Sequence, residues 1–240
     1  MRGFISAIQF LTRLPAPQLR DFEQAELTSG ANWFPLVGFI IGAMLATALW
    51  LGSHVDPWFG ALLCLLLWVW ITGALHLDGL ADMSDAIGAM HRGRERFLAV
   101  LADPHLGAFG VVSLILQLIT KLVLLMLLAR SGYYWGLLLI PAWARWGVLI
   151  WARLPTLKPG LGQLFSWQIN PRITWLWGIL LAVCSFITPV LWCAPLLVFA
   201  WREFLLRRMG GMTGDLLGAG IEVVESMALV LLIVHSHINW

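Results

Sequence analysis

From Trp33 to Ser53 the chain runs without a single charged side chain, and comparable apolar stretches recur almost to its last residue. A stretch of ~20 such residues is what an α-helix needs to cross the ~30 Å hydrocarbon layer of a bilayer. The 240 residues are 60% hydrophobic and 12% charged, against about 45–50% and about 25% in soluble domains. A water-soluble fold of this size has too little interior to hide that surface. Lipid is therefore the solvent for much of the chain, and the expected class is an all-α, polytopic membrane bundle.

The expected spans are Trp33–Ser53, Pro57–Leu77, Gly107–Ala129 and Tyr133–Ala152, then Ile173–Thr188 and Val190–Leu206, cut at Pro189, and finally Ile221–His235, reaching back toward Leu216. That makes about six to seven transmembrane helices in a single membrane domain, 1–240. The first 30 residues read as an interfacial segment whose helix ends near Pro15, because its apolar run is short and interrupted by Thr12 and Arg13. With the N-terminus cytoplasmic, Arg2, Arg13, Arg20, Arg92, Arg94, Arg96, Arg153, Lys158, Arg172, Arg207 and Arg208 all fall inside, and Arg130 alone falls outside. Eleven against one fixes the orientation by the positive-inside rule, and it places a polar segment 78–106 and a glycine-rich segment 207–220 on the cytoplasmic face. A net charge of +2 calls for no polyanionic partner, nucleic acid included. Cys64, Cys184 and Cys193 lie in apolar runs without C-x-x-C spacing and read as small hydrophobes.

Seven of the thirteen acids, Asp78, Asp82, Asp85, Asp103, Asp215, Glu222 and Glu225, belong to the two segments that begin or end a span on that face. In HLDGLADMSDAIGA, Asp78, Asp82 and Asp85 stand at i, i+4 and i+7, which on a helix puts three carboxylates on one stripe. Such a stripe is either a solvated acidic face or a cation site. A hard divalent ion, completed by substrate phosphates, is the natural partner for it at a membrane surface. In RRMGGMTGDLLGAGIE, the glycines allow close backbone approach, while Thr213, Asp215 and Glu222 supply oxygens. Backbone N–H groups at the start of the last helix suit an anion there, against the plainer reading of a turn. RERFLAVLADPHLGAFG offers Arg94, Arg96, Asp103 and His105; Arg92 and Arg94 read as positive-face anchors. Lys121 and Arg145 fall inside apolar runs, so each must face protein or a polar cavity. For Arg145 a carboxylate or phosphate partner and a purely structural ion pair stay equally open.

HLDGLADMSD, LADPHLGAFG and GGMTGDLLGAGIE, together with FLTRLPAP and WFPLVGFIIG, resemble in order the signatures of the cobalamin synthase family, the adenosylcobinamide-GDP ribazoletransferases. The resemblance covers nearly the whole chain. It implies a transferase in which α-ribazole, or its 5′-phosphate, attacks the corrinoid-linked phosphate of adenosylcobinamide-GDP. GMP leaves, and adenosylcobalamin or its phosphate forms at the cell inner membrane with Mg²⁺ as the metal. On that reading Asp78, Asp82, Asp85, Asp215 and Glu222 hold Mg²⁺, with the four aspartates catalytic. His76, Arg96, Asp103, His105, Arg145, Gly211, Thr213 and Gly214 contact substrate. The proton acceptor is not assigned, with Asp103 and His105 as candidates only, and association with other corrinoid-assembly enzymes is left open. Ala86 stands where the family pattern often has glycine, and the stretch 87–94 is locally divergent. Two rivals remain. A CDP-alcohol phosphotransferase also pairs aspartates with Mg²⁺, but the arginine its motif requires is missing after Asp78-Gly79. A transporter would be expected to show internal repeats, and none is visible.

Overall fold

The computed structural model describes residues 2–17, 29–158 and 169–238. Part of the expected interfacial segment, including Arg20, lies outside the described residues. Among the described residues ten α-helices follow one another: α1 (Arg2–Leu11), α2 (Phe34–Ser53), α3 (Pro57–Thr72), α4 (Leu75–Ala89), α5 (Arg94–Val100), α6 (Ala108–Ser131), α7 (Ile140–Trp151), α8 (Pro171–Cys184), α9 (Ala194–Phe204) and α10 (Gly214–Ile238). The described residues contain no strand, only an isolated parallel bridge between Thr156 and Met212. The chain is an all-α, multi-pass membrane protein, as its composition requires.

Among the described residues four helical runs are long and apolar enough to cross a bilayer: Ala31–Ser53, Ala108–Ser131, Pro189–Met209 and Gly214–Ser236. A fifth, Pro57–Thr72 with Leu75–Arg92, passes only as a pair bent by 85°. The six to seven spans expected from hydropathy exceed this for three local reasons. The run beginning at Pro57 breaks at Gly73 and Ala74. The Tyr133–Ala152 run splits into a 3-10 turn over Tyr134–Leu138 and the 12-residue α7, which Pro141 restarts. At 1.5 Å per residue α7 is ~18 Å long, too short to cross alone, and it is buried among its neighbours. The Ile173–Thr188 run gives a 14-residue α8 closed by a 3-10 turn at Ser185–Ile187.

The break after α3 positions everything that follows. Asp56 caps α3, accepting from Trp58 N at 2.8 Å and Phe59 N at 3.3 Å, and Pro57 occupies its first turn. At the other end Gly73 (φ 61°) and Ala74 (φ 60°) are both left-handed. Their N–H groups close on Trp70 O and Val69 O, each at 3.1 Å, a Schellman-like stop. The left-handed region disfavours a residue with a Cβ, so Ala74 is held there by its surroundings. Arg13 N bonds Ile71 O at 2.8 Å, docking the chain after α1 against this corner.

Glycines set how closely the helices approach. A Cβ at Gly38 or Gly42 of α2 would lie 2.5 Å from Pro141 O or 2.3 Å from Leu138 O. A Cβ at Gly79 of α4 would lie 2.6 Å from Asp215 O, and one at Gly218 of α10 would lie 3.4 Å from His76 Cα. Residue numbers fall along α4 as they rise along α10, so the two run antiparallel with backbones nearly touching. Small residues at such crossings are the usual device where lipid removes a hydrophobic drive between helices. Outward faces stay apolar: Val112, Ile115, Leu116 and Ile119 of α6, and Leu176, Ile179 and Leu180 of α8, are exposed.

Inside the bundle lies a charged tetrad. Lys121 Nζ is 2.8 Å from both Glu222 Oε2 and Glu225 Oε2, and Arg145 Nη1 is 2.7 Å from Glu225 Oε1. Gln117 Nε2 donates to Glu222 Oε2 at 2.8 Å and Ser226 Oγ at 2.9 Å. The Lys121 ammonium also sits 4.1 Å from the centre of the Trp68 ring, a cation–π contact. Two cations balance two anions, which is how lipid-buried charge is tolerated. The expected outcome of Lys121→Met, which leaves Glu222 and Glu225 facing one arginine, is a loss of about 3–5 kcal/mol, read as a lower Tm in detergent; an unchanged Tm would contradict the pairing.

Candidate active site

The acidic stripe is on one helix, α4, beyond the break that ends the span. Asp78 is exposed, and Asp82 and Asp85 are half-buried. The Gly79 contact brings this helix alongside the start of α10, where Thr213 serves as the cap: its Oγ1 accepts from Leu216 N at 3.3 Å and lies 3.4 Å from Asp215 Oδ2. Asp82 feels the junction most. Partial burial, then the charges of Asp78 and Asp215, push its carboxyl up to about 6, with Lys158 opposing. Burial and neighbouring carboxylates both disfavour the ionised form, and here they outweigh the lysine.

Asp85 does a different job. Its Oδ2 accepts from Gly107 N at 2.8 Å and its Oδ1 from Gly110 N at 2.9 Å. It therefore caps α6 from another helix, where the N-terminal N–H groups lack intrahelical partners. A Cβ at Gly107 or Gly110 would come within 2.4 Å of that carboxylate, which explains the two glycines in LADPHLGAFG. This pins the loop bearing Asp103 and His105 to α4. In that loop Asp103 Oδ1 pairs with His105 Nδ1 at 2.6 Å and accepts from His105 N at 3.0 Å. These bonds hold the Asp103 carboxyl below the usual carboxylate range, and both side chains are exposed.

The glycine segment is built by contacts rather than by a free loop. A π-helical turn over Leu205–Met209 ends at Gly210 (φ 78°), and the Arg94 guanidinium lies over Gly210. A Cβ at Gly211 would lie 2.2 Å from Pro155 O. Met212 N donates to Pro155 O at 2.8 Å and Leu157 N to Met212 O at 2.9 Å. That short pairing delivers Lys158, whose Nζ lies 3.1 Å from Asp215 Oδ2 and 2.6 Å from Leu101 O.

Asp78, Asp82 and Asp215 thus share one electrostatic environment, with Thr213, Gly211 and Gly214 beside them. Glu222 and Arg145 are elsewhere: both sit in the tetrad, two turns further along α10 or on α7, with their charges already met. For Arg145, left open between two roles, the partner is Glu225. His76 is buried at the start of α4 with Nδ1 unpartnered, and Arg96 is exposed on α5. The polar segment 78–106 is largely helical, because α4 and α5 occupy most of it. Among the described residues no three His, Cys, Asp or Glu side chains converge closely enough to hold a metal by themselves. Sequence reasoning missed Lys158, which carries no motif signal, and the capping role of Asp85, which the spaced glycines at 107 and 110 could have revealed.

A family model described as cobalamin-5-phosphate synthase matches residues 3–233. Several curated relatives are named adenosylcobinamide-GDP ribazoletransferase. One from Thiobacillus denitrificans is 54% identical over 96% of this chain and 94% of its own length. Another, from Laribacter hongkongensis, is 52% identical over 99% of both chains, and one from Pseudomonas aeruginosa is 39% identical over 97% and 98%. No solved structure matches.

Two outcomes follow from the geometry. Because the folded protein holds the Asp82 proton more tightly than its ordinary value of 3.8 and releases it near 6, ionisation there works against folding. Tm in detergent should fall as pH rises between those values and level off above, and Asp82→Asn should flatten that part of the profile. Asp85→Ala removes two acceptors at the start of α6 and should lower stability by about 1–2 kcal/mol, measured by the same melts.

Proposed function

The chain belongs to the cobalamin-5-phosphate synthase family, and from that premise we propose that the junction of α4 with the start of α10 is the catalytic centre. The protein is a membrane-bound transferase that joins adenosylcobinamide-GDP to α-ribazole or its 5′-phosphate and releases GMP, in the late steps of cobalamin synthesis. The observation that carries the location is the convergence of Asp78, Asp82 and Asp215, whose charges add to partial burial in raising the Asp82 carboxyl to about 6.

Those residues fit Mg²⁺. The junction has surplus negative charge, and Mg²⁺ commonly takes one or two carboxylates and completes its shell with substrate phosphates and water, so a closed cage of three protein ligands is not required. Asp82 with Asp78 and Asp215 would hold the ion, which when bound neutralises diphosphate charge and the phosphate of departing GMP. The residues of the chain then position the reaction. A ribazole hydroxyl oxygen forms a bond to the corrinoid-linked phosphorus, the bond from that phosphorus to the GMP oxygen breaks, and the hydroxyl proton passes to a base. Asp103 holds His105 by Nδ1, leaving Nε2 for that proton. Thr213 and the backbone at the start of α10 orient the anionic substrate.

We place this centre on the cytoplasmic face, because Arg13, Arg92, Arg94, Arg96, Lys158, Arg207 and Arg208 flank it while Arg130 lies at the far end of α6. A cysteine introduced at Arg92 should resist membrane-impermeant thiol reagents in intact cells; labelling there would reverse the orientation.

Protein in nanodiscs, given adenosylcobinamide-GDP, α-ribazole and Mg²⁺, should release GMP, and Asp82→Ala should slow release by about 10²-fold or more. Mg²⁺ should bind more tightly as pH rises from 5 to 7, because the ion requires Asp82 without its proton. Full activity in Asp82→Ala would remove the site. Turnover of a CDP-alcohol substrate with no GMP formed from adenosylcobinamide-GDP would remove the reaction.

A further inference from the structure

Lys158 stands out among the groups that the reaction does not yet use. It follows the segment in which Thr156 is bridged to Met212, so its backbone is tied to the residue just ahead of the α10 cap. Its ammonium has three N–H donors, and two are taken, by Asp215 Oδ2 at 3.1 Å and Leu101 O at 2.6 Å. The side chain is 30% exposed, so the remaining donor has access to solvent. It is the cation that the fold inserts among the aspartates of the junction, and its field is felt at Asp82. The other cations near this end are presented differently. Arg92 and Arg96 are exposed, and Arg94 lies over Gly210.

We propose that Lys158 is a substrate-phosphate contact of this centre, one that neutralises Asp215 in the free protein and turns its ammonium onto the diphosphate of the nucleotide-bearing substrate when that substrate arrives. The inference rests on the catalytic reading of the α4–α10 junction and extends it by one residue and one ligand group. A lysine is a flexible point charge on a long stem, so exchange between a carboxylate and a phosphate oxygen a few ångströms away needs only side-chain rotation. Asp215, released from the pair, becomes free to meet a divalent cation. Two jobs are thus coupled, since the diphosphate draws the lysine away from the carboxylate that its own counter-ion requires. A lysine that only ties Leu101 to Asp215 would contribute to folding and not distinguish between the two substrates.

The test is a split in kinetic constants between the two substrates in nanodiscs. Lys158→Met should raise KM for adenosylcobinamide-GDP about tenfold or more and weaken inhibition by added GMP, while KM for α-ribazole stays within about twofold. Lys158→Arg, which keeps the charge, should recover most of the loss. Equal effects on both substrates, a fall in kcat alone, or a lowered Tm that accounts for the lost activity would each overturn the assignment. The parallel Asp82→Ala measurement separates this failure from failure of the site itself. If Asp82→Ala is inactive while Lys158→Met shows no split, the centre stands and Lys158 is an anchor; if Asp82→Ala is fully active, the centre falls with it.

Discussion

The near-contact of Gly79 with the backbone of Asp215 is the constraint on which the site depends. Any side chain at position 79 would push α4 away from α10, and with it the aspartates that the two helices bring together. The crossing in turn depends on the corner at Gly73 and Ala74. An unbroken continuation of α3 would point α4 along the span instead of laying it beside α10. Local backbone stereochemistry, two residues in a left-handed conformation, thereby decides where three carboxylates meet.

Within α4 the regularly spaced acids divide their labour. Asp85 spends both oxygens on the first N–H groups of α6, and so joins the acidic helix to the loop that carries Asp103 and His105. Asp78 and Asp82 have no such partners among the described residues and remain available at the junction. The division follows from geometry rather than from residue type. The last acid of the stripe is the one opposite a helix start, and it is consumed there. Charge inside the bundle is handled separately: the tetrad is neutral in itself and asks nothing of the site.

The sequence made the fold class and the helical placement of the acids legible, because both are written in local patterns. Apolar runs identify a membrane bundle, and the i, i+4, i+7 spacing places Asp78, Asp82 and Asp85 on one helix, as found. What it could not convey is pairing between distant segments. Glu222 and Arg145 looked available because their partners, Lys121 and Glu225, are remote in sequence, and the expected ligand and phosphate roles gave way to internal pairing. The place of Lys158 at the site was hidden for the converse reason, since only the backbone pairing of Pro155 and Leu157 with Met212 brings it beside Asp215. Span counting from hydropathy failed where apolar residues are buried by protein instead of lipid. In α7, the side chains of Trp143, Arg145 and Trp151 are fully enclosed, and hydropathy cannot distinguish the two surroundings.

The order in which the tetrad's members leave the ribosome bears on biogenesis. Lys121 and Arg145 are synthesised about eighty to a hundred residues ahead of Glu222 and Glu225, so α6 and α7 enter the membrane carrying charges whose counterparts do not yet exist. Until α10 arrives, those two helices must shelter their cations in the insertion machinery, at the headgroups or against bound water. Docking of α10 then supplies both carboxylates and completes the tetrad. Because the same helix brings Asp215 to Asp82, a chain whose charges are still unmatched has no assembled centre either, and competence for catalysis is tied to completed folding.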